Sequence, residues 1–162
     1  MSNPPTPNIP RLRALVDTIA AIPAGEFNMD VWAHRPDGSP EGGSCGTTAC
    51  ALGSYVLKNP ECGLRLRKSL PDFLAKRGWS YFNVVDERGN EGFRAACGHF
   101  GLIADEANFL FYGSAKYTPG LRGEVGIIRG TGTEAYKCRV LKNIAAKVET
   151  IIARSHKEAG TP

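Results

Sequence analysis

The apolar pattern near the C-terminus constrains the fold more than any other feature of this sequence. Between residues 136 and 152, apolar side chains recur every three or four positions, at Tyr136, Val140, Leu141, Ile144, Ala145, Val148, Ile151 and Ile152. This spacing places them in one stripe along an α-helix, and such a stripe is normally buried against other elements. Thr131 and Glu134 stand at capping-box spacing, so we expect this helix to start near them and to end near His156.

Three other stretches have the spacing or the end signals of helices. Residues 9–22 carry apolar side chains at helical spacing, and Asn8 is placed to cap the first turn. Residues 45–57 are apolar on nearly all sides, which predicts a buried helix entered through residues 46–48. Residues 105–112 begin with two acidic side chains, as is favourable at a helix N-terminus.

The middle of the chain is more mixed. We expect short helices over residues 64–70 and 71–77, because a glycine or a proline stands at their ends. Residues 79–85 are aromatic and β-branched, and the turn-prone residues 86–90 follow them. This order is compatible with one short β-hairpin near residues 79–93.

These elements fit a single domain, because one hydrophobic core typically occupies about 100–200 residues and the chain has 162. We predict a flexible proline-rich tail over residues 1–8 and one globular domain over residues 9–158. The predicted fold class is mainly α, a bundle of about five helices with the short hairpin beside it. No cofactor motif is apparent in the sequence.

The cysteine content and the hydropathy of the chain indicate in which cellular compartment the protein is located. The first residues include three prolines and no apolar stretch, so we expect no secretory signal. No apolar run approaches the roughly 20 residues that cross a bilayer, so we expect no membrane partner. The five cysteines are an odd number, which favours reduced thiols over a disulfide framework. A cytoplasmic location is therefore predicted.

The charge balance argues against a dedicated nucleic-acid binder. Lys and Arg exceed Asp and Glu by only four charges, which is less than such proteins usually carry. Aromatic residues at 79, 81 and 82 follow a basic cluster formed by Arg65, Arg67, Lys68, Lys76 and Arg77. A phosphate- or nucleic-acid-binding module is thus a weaker alternative, and a solvated helical face would give the same pattern.

The block of residues 42–53 contains the sharpest local motif, Cys45-Gly46-Thr47-Thr48-Ala49-Cys50. A cysteine directly before a helix has its thiolate stabilised by the helix dipole and by unpaired amides. Cys45 would then act as a nucleophile, with His99 or His34 as the base that accepts its proton. Packing is the simpler interpretation, because unpaired cysteine is among the most buried residue types.

A zinc site is a further alternative for the cysteines. Cys45, Cys50, Cys97 and His99 together offer the ligand types of a tetrahedral site. Their spacing departs from the compact pairs of zinc knuckles, since four residues separate the first two cysteines and one residue separates Cys97 from His99. We therefore predict no metal.

The glycine-rich stretch before the last helix is the second candidate site. Arg129, Gly130, Thr131, Gly132 and Thr133 directly precede the helical stripe. Backbone amides in such a turn, with a nearby arginine, can bind a phosphate or a carboxylate. An ordinary capped loop explains the same residues.

Four segments together resemble a family of small uncharacterised bacterial and phage proteins. They are residues 27–32, the block 45–53, Phe100-Gly101-Leu102 and residues 105–111, so that the resemblance spans roughly residues 9–112. In this family a Cys-Gly-Thr-x-Ala-Cys turn starts a buried helix and a Phe-Gly-Leu segment starts a later one. The resemblance implies a bacterial or phage setting, and it implies no particular reaction.

Two functions remain open from the sequence. The favoured one is a small cytoplasmic binding or interaction protein whose partner is another protein or an anionic ligand. The alternative is a cysteine-dependent hydrolase or transferase that uses Cys45 with His99 or His34.

Overall fold

The computed structural model describes residues 5–29, 33–34, 48–68, 81–113 and 133–159. The fold is mainly α with a short β-hairpin, as predicted, and the hairpin belongs to a four-stranded antiparallel sheet that was not predicted. In these residues there are five α-helices: α1 Ile9–Ala21, α2 Ala51–Lys58, α3 Gly92–Phe100, α4 Ala104–Asn108 and α5 Glu134–Ala159. A 3-10 turn, Ala24–Glu26, follows α1, and a π-helical turn, Phe109–Gly113, continues α4. No helix in the part of the chain that the structure describes is long and apolar enough to cross a membrane.

The four strands are β1 Ala33–His34, β2 Thr48–Ala49, β3 Leu64–Lys68 and β4 Tyr81–Asp86. They form one sheet in the order β2-β1-β4-β3, and every neighbouring pair is antiparallel. The predicted hairpin is seen where β4 turns back at residues 86–90 and Val85 bridges Glu91. The main partner of β4 is β3, which pairs with it at five positions.

Helices α1 and α5 confirm the two clearest apolar stripes. In α1, the Asn8 side chain accepts a hydrogen bond from the Arg11 amide at 3.2 Å, and Leu12, Leu15 and Ile19 on the apolar face are fully buried. In α5, the cap is Thr133 and not Thr131, because the Thr133 hydroxyl accepts the Tyr136 amide at 3.2 Å. The helix therefore starts at Glu134, and the expected capping box is replaced by a single Thr133 cap, because Tyr136 stands at the third helical position.

Two elements in this region differ from the prediction: the segment after α2 is a strand, and α2 itself starts later than expected. The helix expected over residues 64–70 is wrong, since residues 64–68 form strand β3. Leu64 is buried and Arg65 exposed, so alternate side chains face opposite sides of the sheet. The buried helix expected over residues 45–57 starts instead at Ala51. The helix expected over residues 71–77 lies outside the described residues.

The core joins the helices to the sheet. Its largest fully buried side chains include Phe27, Phe100, Phe111 and Tyr136, together with Leu12, Leu15, Ile19, Leu52, Leu102, Leu110 and Ile144. Each such side chain contributes about 2–5 kcal/mol relative to alanine. This core fixes α1, α2 and α3 against one another, and the candidate site lies where these three helices approach the sheet.

A close backbone contact anchors the N-terminal segment on α3. Gly101 has a φ of 65°, and a Cβ atom there would lie 2.0 Å from the Thr6 carbonyl oxygen. The Asn8 amide donates to the Phe100 carbonyl at 2.8 Å, and Pro7 is buried. Only glycine fits this left-handed position and this contact. The start of α1 is thereby held beside the end of α3.

Candidate ligand-binding cleft

His99 is the predicted site residue that the structure places most clearly. It occupies the last turn of α3 and is 8% exposed. Its Nε2 lies 3.2 Å from the Tyr55 hydroxyl, and its ring packs edge-on against Phe100 with centroids 4.7 Å apart. From α1, the Arg11 Nη1 donates to the His99 carbonyl at 2.8 Å. His99 thus joins three helices.

The environment of His99 keeps its imidazole neutral. Burial, and then the positive charge of Arg11, lower the pKa of His99 from 6.5 to about 4. A general base must accept the proton of its nucleophile, and a ring with this pKa is a weak proton acceptor near neutral pH. A general base works best with a pKa near the working pH, so His99 is poorly matched to that role.

A cleft of about 320 Å³ opens beside His99. Arg11 lines one part of it, residues 62–64 form a wall, the turn at residues 86–90 forms another, and Gly98 and His99 contribute from α3. The cleft therefore collects side chains from four separate segments of the chain. Its volume lies at the lower end of the roughly 300–1,000 Å³ of small-molecule sites.

The turn that borders the cleft is organised by Asp86. The Asp86 carboxylate accepts hydrogen bonds from the amides of Arg88 and Asn90, at 2.9 and 2.8 Å, and from the Asn90 side chain at 2.7 Å. The bond from the Asn90 side chain is the largest cause of the lowered pKa of Asp86, which stays ionised. Gly89 completes the turn with a φ of 82°. Asp86 thus shapes the wall of the cleft.

Gly98 leaves part of the cleft floor as bare backbone. Among the described residues, a Cβ atom at this helical position would have one neighbour within 4 Å outside its own helix turn, the Asp86 Oδ2 at 4.0 Å. Packing therefore does not require glycine here. Glycine inside a helix costs about 1 kcal/mol relative to alanine, so α3 is less stable than it could be. What glycine adds at this position is room in the cleft.

Cys62 is the thiol that borders the cleft, and it was not among the sequence-derived candidates. It is half-buried, and its Sγ lies 3.8 Å from the Leu64 carbonyl, to which the thiol donates. Burial is the main cause of its raised pKa. The group facing the cleft is therefore a protonated thiol near neutral pH, and it offers polarisable packing surface.

The nucleophile predicted at Cys45 lies outside the described residues. The cysteine that actually precedes the helix is Cys50, the N-cap of α2, whose Sγ accepts the Gly53 amide at 3.4 Å. Cys50 is 1% exposed, and burial raises its pKa to about 11. Burial outweighs the helix end here, so Cys50 is an unreactive capping thiol. Helix α2 begins at Ala51, six positions after Cys45, and the activation of Cys45 stays a prediction.

The second proposed base, His34, belongs to strand β1 and pairs with Thr48 and Tyr81 through its backbone. Its side chain lies outside the described part.

The zinc alternative loses support, since no three His, Cys, Asp or Glu residues in the described ranges approach closely enough to hold a metal. Cys50, Cys97 and His99 all belong to those ranges and do not converge.

The predicted anion loop is described only at its end. Arg129, Gly130, Thr131 and Gly132 lie outside the described residues, and Thr133 is the cap of α5. The hydroxyl oxygen of Thr133 thus accepts a helix amide, as the capped-loop interpretation requires. Anion binding by this loop stays a prediction.

Comparison of the chain with protein-family models, with curated proteins and with solved structures gives no significant match. The resemblance noted from the sequence stays an expectation. Functional inference therefore depends on the chemistry of the cleft itself.

Proposed function

We propose that this protein is a non-enzymatic binding protein and that the cleft beside His99 is its ligand-binding site. The bare backbone at Gly98 is the observation that supports this most directly, because it enlarges the cleft at the expense of helix stability. The bacterial or phage setting in this proposal rests on the sequence resemblance. The cytoplasmic setting rests on the odd number of cysteines.

The composition of the cleft supports selective binding. A guanidinium, an imidazole, a thiol and a carboxylate-stabilised turn converge there with the apolar Leu64. Small-molecule sites commonly combine apolar surface with a few fixed polar groups in this way. Two of these groups are held by hydrogen bonds within the chain, Arg11 to the His99 carbonyl and the turn to Asp86. A ligand would therefore meet a site that is already organised.

The titration of the buried groups favours binding over cysteine catalysis. Burial raises the pKa of Cys50, Cys62 and Cys97, whereas the pKa of His99 is lowered. These thiols and this imidazole are all neutral near pH 7. An activated cysteine needs a thiolate stabilised by a positive neighbour, which is the opposite arrangement.

The test of the proposal is a fragment screen read by NMR. We expect a subset of small polar compounds to shift the amide signals of residues 62–64, 86–90 and 98–99. Gly98→Leu fills the floor of the cleft and should abolish these shifts. Gly25→Leu adds the same side chain where a Cβ has no neighbour within 4 Å, and it should leave them intact. Shifts that are absent, or that persist in Gly98→Leu, would overturn the proposal.

The hydrolase alternative is tested by the pH dependence of alkylation at each cysteine, read by mass spectrometry. We expect Cys50 to stay protected and Cys62 to react slowly, as protonated thiols do. Rapid alkylation of Cys45 near neutral pH, lost on replacing His34 or His99, would instead favour the hydrolase.

A further inference from the structure

We infer that the ligand of this cleft carries an oxyanion, a carboxylate or a phosphate group, and that the Arg11 guanidinium binds it. This inference rests on the proposed function, since it assigns the chemistry of the ligand in the same cleft. It concerns a side chain in the first turn of α1 that was not among the candidates predicted from the sequence.

The position of Arg11 is fixed by the protein. Asn8 caps α1 one turn earlier, and the contact of Thr6 with Gly101 holds this end of the helix against α3. The Arg11 Nη1 then donates to the His99 carbonyl at 2.8 Å, at the C-terminal end of α3. This bond uses one of the five N–H donors of a guanidinium. Within the described residues the others have no hydrogen-bond acceptor, so that a ligand in the cleft can accept from them.

The charge of Arg11 has no carboxylate partner within the described chain. Salt bridges among these residues join Arg67 to Glu91, Lys137 to Glu134 and Arg154 to Glu106. Arg11 forms none of them, although it stands beside a cleft that also contains Asp86 and Glu87. The Asp86 carboxylate is instead directed to the donors of its own turn. A second arginine on that turn, Arg88, likewise takes part in none of these salt bridges.

The positive charge of Arg11 acts on His99 and Cys62, which line the cleft, and on Tyr55, which contacts His99. This charge contributes to lowering the pKa of His99, and it acts in the same direction on Tyr55 and Cys62. None of these three groups carries a charge of its own near neutral pH. These three groups therefore leave the positive charge of Arg11 uncompensated.

An oxyanion matches this arrangement better than a cation or a neutral amide. The planar guanidinium donates two parallel hydrogen bonds to a carboxylate or a phosphate, with geometry that a lysine ammonium does not reproduce. Glu87 also lines the cleft, and a Cβ added to Gly63 would lie 3.8 Å from its Oε1. Repulsion between like charges would keep an anion away from Glu87 and favour its contact with Arg11.

The experiment uses three probes of similar size, phenyl phosphate, benzoate and neutral benzyl alcohol, titrated into the full chain at low salt. Arg11→Gln removes the charge but keeps an amide N–H for the His99 carbonyl. Arg13→Gln is the matched control, because Arg13 lies on the same helix, is exposed and does not line the cleft. Circular dichroism establishes that each variant is folded.

We expect phenyl phosphate or benzoate to bind in the cleft, and Arg11→Gln to weaken that binding about tenfold or more, as removal of a charged hydrogen-bond donor does. Arg11→Lys should recover only part of the affinity, and Arg13→Gln should keep all of it. Addition of salt should weaken the two anions and leave benzyl alcohol unchanged.

Two results would overturn the inference in different ways. If benzyl alcohol binds, Gly98→Leu blocks it, and the anions bind no better or are unaffected by Arg11→Gln, the oxyanion assignment fails while the proposed binding function stands. If neither these probes nor the fragments shift any signal of the cleft, the proposed function fails as well.

Discussion

Two arginines of this protein meet helix α3 and its neighbours in opposite ways. Arg154 on α5 lies 3.0 Å from the Glu106 carboxylate of α4, which is 5% exposed and also accepts the Ile103 amide at 3.2 Å. Arg11 on α1 binds a backbone carbonyl and faces a cleft. The first arginine has its anion inside the protein and links two helices. The second forms no salt bridge among the described residues, which leaves its charge available for the external anion that we propose.

We expect the largest effect on stability at Glu106, the buried carboxylate that pairs with Arg154. Glu106→Gln would leave Arg154 without its buried counter-charge, and we expect the free energy of unfolding to fall by about 3 kcal/mol. Urea denaturation of the variant measures this. Ligand binding by the folded variant should be unchanged, because Glu106 does not line the cleft.

The exposed pair of Arg67 and Glu91 supplies the control for that prediction. Glu91→Gln should lower the free energy of unfolding by less than about 1 kcal/mol, since exposed ion pairs contribute little. Equal losses in Glu106→Gln and Glu91→Gln would contradict the structural role assigned to the buried pair.

The pH dependence of the free energy of unfolding tests the environment of His99 beside the cleft. The folded protein disfavours the protonated imidazole of His99, whose pKa is lowered from 6.5 to about 4. This contribution to stability is fully present above pH 6.5 and is lost as the pH falls towards 4. The loss amounts to at most roughly 3 kcal/mol, because one pKa unit corresponds to about 1.4 kcal/mol.

Urea denaturation at several pH values measures this slope. His99→Gln keeps a polar side chain beside Tyr55 and should flatten the profile between pH 6.5 and 4. His156→Gln, on the exposed side of α5, is the matched substitution. A profile that keeps its full slope without His99 would show that another group is responsible.

The anchor of Arg11 is tested by Gly101→Ala. An added methyl group would collide with the Thr6 carbonyl and strain a φ of 65°, so we expect a loss of about 2 kcal/mol. The affinity of the cleft for phenyl phosphate should fall too, because the start of α1 would move. Gly25→Ala, where a Cβ meets nothing within 4 Å, should change neither quantity.

The smallest expected effect is an increase in stability, in the variant Gly98→Ala. Gly98→Ala places a methyl group 4.0 Å from Asp86 and should stabilise the protein by about 0.5–1 kcal/mol through helix propensity. Thermal denaturation measures it. A loss of stability would mean that packing does require glycine at this position, and the main argument for the cleft as a binding site would weaken.

The sequence predicted the elements whose signals are local and repeated. The apolar stripes of α1 and α5 extend over several turns, so their helical period was unmistakable. Strand β3 was misread as a helix because Leu64-Arg65-Leu66-Arg67-Lys68 is too short for its alternation to stand out from helical spacing. Helix α3, with glycines at 92 and 98, was not predicted as a helix at all.

The site was less predictable, because its parts are distant in sequence. His99 was selected as a catalytic base, but its partners Tyr55 and Arg11 lie 44 and 88 positions away. Its burial, which lowers its pKa, could not be read from neighbouring residues. In the sequence, nothing distinguishes Arg11 from the other polar residues of its helix. The turn-prone residues 86–90 and a glycine inside an apolar segment were the only local signals of the cleft.

The most direct test of the account is an NMR titration of the wild-type chain with phenyl phosphate, repeated with Arg11→Gln. The account predicts amide shifts concentrated at residues 62–64, 86–90 and 98–99, with an affinity at least about tenfold weaker in the variant. Shifts that map elsewhere, or that saturate equally well without Arg11, would contradict the claim that this arginine takes its anion from outside the protein.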